Sequence, residues 1–190
     1  MVVLSAVTVV YPAGYRRFAE QFQTVEDTVK ASGLRRTILR CADFASNGLE
    51  WASQIRPADG VRGAYGDAAT STIDERDIAA VAVRALLNPA HAGNSYLLTG
   101  PQSLTQHDKV RLIGQAIGRD LSFVELPPSR SARRCSPVAI PTKSPTGCSA
   151  PWPTTPSSPD RPQPPWSRSW LAPARTFAEW AADHVAASWN

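Results

Sequence analysis

The stretch from Arg16 to Arg40, RRFAEQFQTVEDTVKASGLRRTILR, decides the fold. Its first part has helical composition, and Gly33 is a natural residue to end a helix over 16–32. Four large apolar residues of this part share one helical stripe: Phe18, Phe22, Val25 and Val29. RTILR, from Arg36 to Arg40, follows at once and predicts a short strand. A helix that leads directly into a strand is typical of a βα repeat.

The same alternation extends on both sides of this stretch. Met1–Val10, MVVLSAVTVV, is rich in β-branched residues and predicts a strand buried on both faces. The glycines Gly60, Gly63 and Gly66 are interpreted as a surface loop. The other predicted elements are a helix over 44–54, a helix over 75–87 capped by Asp74, a strand over 95–99, a helix from Thr105 to Gly118 and a strand over 121–126. Four strands that alternate with helices predict an α/β fold with a mainly parallel sheet.

The sequence changes character after residue 128. Thirteen of the seventeen prolines lie between Pro127 and Pro173, and the segment 129–172 is also rich in Ser and Arg. It is either a Pro-rich linker or interaction tail, or the product of a shifted reading frame, and the abrupt edges favour the second. In both cases we expect it to be disordered. Residues 173–190 then predict a C-terminal amphipathic helix with an apolar face of Phe177, Trp180, Ala181, His184 and Val185.

Composition limits the kind of protein. No run of 18 apolar residues exists, so no membrane helix is predicted, and the first residues lack the basic start of a signal peptide. Three cysteines at no metal-like spacing favour a reduced, cytoplasmic setting. Seven of the twenty Lys and Arg but one of the sixteen Asp and Glu lie in 130–175. Binding to a nucleic-acid partner would depend on that segment alone. We attribute the Trp residues of the segment to its altered composition and not to such binding.

Several stretches taken together resemble a known family. They are VVLSAV at the start, Glu26–Arg40, Asp43–Asn47, Ser71–Ala82, Tyr96–Thr105 and Ala116–Pro127. Residues 1–128, and again 174–188, resemble the C-terminal portion of NmrA-like proteins and the related atypical short-chain dehydrogenases. The resemblance implies the second half of a doubly wound, Rossmann-like sheet. It also implies a small substrate-side lobe that starts near Leu104 and is disrupted by 129–172.

The resemblance also implies where a cofactor would lie. In the family, the loops after the opening strand and after the RTILR strand flank the nicotinamide ring of NAD(P) and the substrate. The matching cofactor-side residues are Ser5, Ala6, Arg40, Cys41, Ala42 and Phe44, and the substrate-side residues are Asp43 and Asn47. The family usually has proline at position 41, so Cys41 is either a functional thiol or, as we favour, a packing residue.

The family's phosphate-binding motif, G-x-x-G-x-x-G between a strand and a helix, is expected before Met1. Gly60, Gly63 and Gly66 have the spacing, but no predicted strand and helix flank them. A dinucleotide's pyrophosphate is held by main-chain amides at such a bend. We therefore expect a truncated chain that binds NAD(P) poorly on its own.

The catalytic residues of active short-chain dehydrogenases are not matched. Their Tyr-x-x-x-Lys pair would fall on Phe18 and Phe22 when Glu26 is aligned with the family's glutamate. Ser5 could imitate a catalytic serine, although a turn role is commoner. The three histidines have no metal-ligand spacing. The leading hypothesis is a fragment of an NAD(P)-dependent oxidoreductase of the quinone- or azo-reductase type, inactive alone. The alternative is a regulatory protein that senses NAD(P) and binds a partner protein without turnover.

Overall fold

Parallel strands alternate with helices along the described part of the chain. The computed structural model describes residues 1–11, 16–127, 173–185 and 189. The predicted Pro-rich segment 129–172 lies outside the described residues. The strands are β1 (Val2–Ala6), β2 (Thr37–Cys41), β3 (Gly60–Gly63), β4 (Ser95–Leu98) and β5 (Ser122–Glu125). The helices are α1 (Arg16–Ala31), α2 (Ala52–Ile55), α3 (Glu75–Leu87), α4 (Gln106–Ile117) and α5 (Phe177–Asp183).

The strands form two sheets. One has the order β1-β2-β4, and the other pairs β3 with β5, and all of these pairs are parallel. The predicted α/β class with parallel strands is confirmed. The expectation that the four predicted strands belong to one sheet is wrong, because β5 pairs with β3, a strand that was not predicted.

The prediction of a loop is therefore also wrong for two of the three glycines, whereas Gly66 lies in a turn after β3. Gly60–Gly63 form β3, and the side chain of Val61 between them is fully buried in a core with residues of α4 and α5. A Cβ on Gly60 would lie 3.0 Å from the backbone oxygen of Ser122 on β5. The glycine lets the two strands approach closely, so its function here is in packing.

The helix boundaries follow local signals in the sequence. The Asp74 side chain accepts from the Arg76 amide at the start of α3. Thr105 and Asp108 form a reciprocal capping box at the start of α4, and Gly118 ends that helix with φ of 70°. Thr176 and Glu179 form a second capping box at α5. The helices α3 and α4 were predicted correctly. Of the helix predicted over 173–190, residues 173–176 are not helical and Phe177–Asp183 form α5.

Two predictions near the start of the chain need correction. β1 ends at Ala6, where a 3-10 turn over Val7–Val9 begins, and Leu4 is 49% exposed. The strand is thus not buried on both faces. On α1, Phe18 and Val25 of the apolar stripe are exposed, and the buried residue of this helix is Glu26. Likewise, the predicted helix over 44–54 is a 3-10 segment, Ala45–Trp51, followed by the single turn α2.

Candidate functional site

The candidate site lies where β1, β2 and β4 end. In parallel α/β sheets, ligands bind outside the carboxyl ends of the strands. Ala6 and Cys41 are register partners at this edge, and Cys41 is also paired with Leu98. The chain leaves β2 through Ala42, whose amide donates to the Leu98 oxygen at 2.8 Å. The predicted cofactor-side residues are thus brought to one edge of one sheet.

Two of those residues turn their side chains away from the edge and toward α1. Ser5 and Arg40 are opposite each other in the register, and both bind Glu26. The Ser5 hydroxyl donates to Glu26 Oε1 at 2.7 Å, and the Arg40 guanidinium binds both carboxylate oxygens at 2.8 and 2.7 Å. Lys30 Nζ lies 3.1 Å from Glu26 Oε2. We call Glu26, Ser5, Lys30 and Arg40 the Glu26 cluster.

The Glu26 carboxylate is firmly ionised. The bond from Arg40 is the main cause that lowers its pKa to about 2, with help from Ser5 and Lys30 and against the opposing effect of burial. The side chains of Ser5 and Arg40 therefore join α1 to the sheet. Since both side chains face α1, only the main-chain atoms of Ser5 and Arg40 are left to face a cofactor. Their assignment to the cofactor side stays a prediction.

Cys41 is a packing residue in this structure. Its side chain is 3% exposed and lies in an apolar core that includes Leu39 and Leu98. Burial raises the pKa of the Cys41 thiol to about 12. The thiolate, which is the reactive form, is therefore negligible near neutral pH.

After β2 the chain runs beside the segment that precedes α3. Phe44 forms a parallel bridge with Ile73, the Ile73 amide donates to the Asp43 oxygen at 2.8 Å, and the Ala45 amide donates to the Ile73 oxygen at 2.9 Å. Gly100, just after β4, donates its amide to the Ser71 oxygen. A Cβ on Gly100 would overlap the Thr72 backbone oxygen, so only glycine fits there. These contacts fix the Asp43 backbone at the sheet edge.

The Asp43 carboxylate is the centre of a second polar cluster. Its Oδ2 accepts from Lys109 Nζ at 2.6 Å and from the hydroxyls of Thr70 and Thr72 at 3.0 Å each. Lys109 also donates to Thr70 Oγ1 at 2.7 Å, and its side chain is 4% exposed. The other carboxylate oxygen, Oδ1, accepts from Asn47 Nδ2 at 2.8 Å. We call Asp43, Asn47, Thr70, Thr72 and Lys109 the Asp43 cluster.

This cluster keeps the Asp43 carboxylate ionised. Burial alone would raise its pKa, but the ammonium of Lys109 and the bonds from Lys109, Asn47 and Thr70 outweigh burial and hold the pKa below its ordinary value. Asp43 and Asn47 were predicted as substrate-side residues, whereas Thr70, Thr72 and Lys109 were missed. One signal was available: Lys109 interrupts the apolar face of α4, next to Val110 and one turn before Ile113.

The starts of α3 and α4 offer little to a pyrophosphate. α3 and α4 begin on side-chain caps, Asp74 and Thr105. Downstream of β3, the amides of Tyr65 and Gly66 donate to the two carboxylate oxygens of Glu125, both at 2.7 Å. Those main-chain donors are therefore already bonded within the protein. Within the part of the chain that the structure describes, no group of three His, Cys, Asp or Glu could hold a metal ion.

The helix that follows residue 172 packs next to this site. The Trp180 indole donates to Glu75 Oε2 at 3.1 Å, and Glu75 Oε1 accepts from the Ser46 amide. Arg175 binds Asp74 through Nε at 2.7 Å and Asp77 through its amide at 2.8 Å. The C-terminal helix, which was predicted from its period, is thus part of the folded unit. Among the described residues, no helix is both long and apolar enough to cross a membrane.

No protein-family model matches the chain. Two reductases are among the curated proteins that share sequence with it. A (4-alkanoyl-5-oxo-2,5-dihydrofuran-3-yl)methyl phosphate reductase of Streptomyces griseus is 43% identical over 101 residues, which are 53% of this chain and 36% of that protein. An NAD(P)H azoreductase of Xenophilus azovorans is 31% identical over 165 residues, which are 85% of this chain and 57% of that protein. The chain thus spans between about a third and somewhat over half of these relatives.

Solved structures show the same architecture. The NADPH-dependent quinone oxidoreductase of Escherichia coli, complexed with NADPH, matches with a TM-score of 0.72 at 20% identity, over 96% of this chain and 64% of that one. The triphenylmethane reductase of a Citrobacter species, complexed with NADP(H), matches with a TM-score of 0.71 at 12% identity, over 97% of this chain and 64% of that one. These identities carry the fold alone.

Together these relationships define the class of protein. The chain is a relative of NAD(P)H-dependent reductases and has their Rossmann-like α/β fold. The resemblance predicted from the sequence is confirmed.

Proposed function

We propose that this chain supplies the nicotinamide- and substrate-facing part of an NmrA-like, NAD(P)H-dependent reductase that passes hydride to a small electrophile such as a quinone or an azo compound. The main support is the sequence shared with an NAD(P)H azoreductase over 85% of the chain. That shared sequence includes parallel strands whose carboxyl ends meet at one edge. The reduced, buried thiol of Cys41 agrees with a cytoplasmic setting.

The residues at this edge fit a nicotinamide ring better than they fit a pyrophosphate. The hydroxyl of Thr8, in the turn after β1, is buried and has no hydrogen-bond partner among the described residues. A buried donor of this kind favours a polar group of a ligand nearby. The helix starts of α3 and α4, in contrast, are closed by their own caps. We infer that the described residues hold the ring side of the cofactor and contribute little affinity for its phosphates.

The reaction needs few groups from the protein. A bound reduced nicotinamide supplies the hydride. Ala6, Ala42 and Phe44 line the strand ends and would exclude water, while Asp43 and Asn47 would lie on the substrate side, where the nicotinamide ring and the substrate meet. The Tyr-x-x-x-Lys pair is missing: Phe18 stands at the position of the tyrosine and Phe22 at that of the lysine, and the two form an edge-to-face pair on α1. This favours acceptors whose reduced form takes its proton from water, such as quinones, over simple ketones.

The experiment measures both binding and turnover by the purified 190-residue chain. NADPH consumption is followed at 340 nm with a quinone, an azo dye and a butenolide as acceptors, and binding is followed by thermal shift. The sequence alone predicts a fragment that is inactive by itself, but the ring-side edge of the sheet leads us to expect slow oxidation that saturates only at about millimolar NADPH, which corresponds to roughly 4 kcal/mol of binding. A ligand at 100 times its dissociation constant adds about 2.7 kcal/mol of stability. A shift of several degrees at micromolar NADPH would contradict the weak-binding part of the proposal.

The alternative, a non-catalytic NAD(P) sensor with a regulatory protein as partner, is favoured by the phenylalanines at positions 18 and 22. Binding of NADPH without oxidation by any acceptor would support it. The absence of both binding and oxidation would contradict both functions.

A further inference from the structure

We propose that Lys109 is a specificity-determining positioning residue: through Asp43 it fixes the side-chain amide of Asn47 so that its oxygen faces the ligand and selects a nicotinamide over a nicotinic acid. This inference rests on the proposed function, and it assigns a role to three residues of the same site.

The first step is the ion pair. Lys109 enters from α4 and Asp43 from the end of β2, 66 positions earlier in the chain, and their charged atoms are 2.6 Å apart. Lys109 is 3% exposed, so water screens the pair little. The two threonine hydroxyls also donate to Asp43 Oδ2. All of these contacts favour the ionised carboxylate, which can only accept hydrogen bonds.

The second step is the orientation of Asn47. Because the Asp43 carboxylate only accepts, the group of Asn47 that faces Asp43 Oδ1 must be the donor, Nδ2, at 2.8 Å. The amide oxygen Oδ1 of Asn47 therefore points away from Asp43. It has no hydrogen-bond partner in the described part of the chain. Asn47 is the exposed member of the cluster, which places this acceptor at the surface of the site.

The third step is the ligand. A surface acceptor binds an N–H donor, and the carboxamide of nicotinamide offers one, whereas the carboxylate of nicotinic acid offers none. If Asp43 lost its cation and became protonated, it could donate to the oxygen of Asn47. The amide would then turn and present its NH₂ group, which suits a carboxylate. The charge of Lys109 thus decides whether Asn47 presents its amide oxygen or its NH₂ group to the ligand, although Lys109 acts only through Asp43.

The test compares two probes, nicotinamide mononucleotide and nicotinic acid mononucleotide, by NMR titrations in which the ring-proton signals of each probe report its binding. We expect the wild-type chain to prefer the nicotinamide probe by about tenfold, the effect of one well-placed hydrogen bond. Lys109→Met should lose or reverse this preference. Arg111→Met is the matched control, since it removes a cation two residues further along α4 whose ion pair with Asp108 is largely exposed. It should keep the wild-type preference.

Two further variants keep the test decisive if Lys109→Met does not fold. Asn47→Ala changes an exposed residue and should abolish the preference with little effect on the melting temperature, and Lys109→Arg retains the charge and should retain the preference. Equal affinity for both probes in the wild type, or an unchanged preference in Asn47→Ala, overturns the inference. If the chain oxidises NADPH but does not prefer the nicotinamide probe, this inference alone is overturned. If the chain prefers the nicotinamide probe but does not oxidise NADPH, the proposed reductase function is overturned instead.

Discussion

In the described part of the chain, the carboxylates of Glu26 and Asp43 are neutralised in different ways. Glu26 has two cationic neighbours, Arg40 and Lys30, and its partners lie within 21 positions in the chain. Asp43 has one, Lys109, and its other donors include threonines 27 and 29 positions away. The Glu26 cluster attaches a helix to its own sheet, whereas the Asp43 cluster joins the sheet edge to α4 and the loop before α3. The comparison indicates that redundancy protects the scaffold, while the candidate site depends on a single cation.

Removing that single cation should have the largest effect. Lys109→Met leaves a buried carboxylate without a compensating charge, which typically costs about 3–5 kcal/mol. We expect a loss of this size in the free energy of unfolding, measured by urea denaturation. Arg111→Met on the same helix should cost less than about 1 kcal/mol, since its ion pair is largely exposed. Equal losses in the two variants would show that Asp43 does not need Lys109.

Acid should weaken the Glu26 cluster in a defined pH range. The pKa of Glu26 is about 2 in the folded chain, below its ordinary value of 4.5. The stabilisation is therefore fully present above the ordinary value and is lost as the pH falls toward 2, an effect of about 3 kcal/mol. Between pH 5 and pH 2, the free energy of unfolding measured by urea denaturation should fall by about 3 kcal/mol less in Glu26→Gln than in the wild type. Parallel pH profiles for the two proteins would contradict the assignment.

Arg40→Met should have a smaller effect than Lys109→Met. The variant loses a bidentate pair with Glu26, but Lys30 and Ser5 remain within 3.1 and 2.7 Å of the carboxylate. We expect a loss of about 2 kcal/mol in the free energy of unfolding. The double variant Lys30→Met, Arg40→Met should then lose clearly more than the sum of the two single losses. Additive losses would show that Lys30 does not substitute for Arg40.

The sequence predicts elements whose signals are local. Asp74 and Thr105 mark helix starts, Gly118 marks a helix end, and the structure has these boundaries. β3 could not be predicted in this way. Its four residues include Gly60 and Gly63, and it is a strand because it pairs with β5, about 60 residues further along the chain. Strand pairing over that distance leaves little trace in a local pattern.

The same limit applies to the site. Asp43 and Asn47 were assigned because they follow a strand and match a family, but of their partners the matched stretches include only Thr72. Ser5 and Arg40 were assigned to the cofactor side, but both side chains point toward Glu26. That direction depends on the register of β1 with β2, which the sequence does not reveal. Glu26 and Lys109 had one common signal, a charged residue within an apolar helical face. Such a residue is fully buried only when a partner neutralises it, so this pattern can be searched for in other sequences.

The smallest effect is expected at a third cluster, in which one of the two carboxylates reaches solvent. Arg175, whose side chain is 29% exposed, pairs with Asp74 and with Asp183, which is 38% exposed. Since water screens the pair with Asp183, and the buried Asp74 still accepts from the Arg76 amide, Arg175→Met should cost only about 1 kcal/mol, and less at high salt. The loss should be confined to α5, because the Arg175 amide still donates to Asp77 and the Trp180 indole still donates to Glu75. Hydrogen exchange should therefore quicken in Phe177–Asp183 and stay unchanged in β2 and α4. A loss as large as that of Lys109→Met, or one that spreads to β2, would mean that exposure does not distinguish the three clusters.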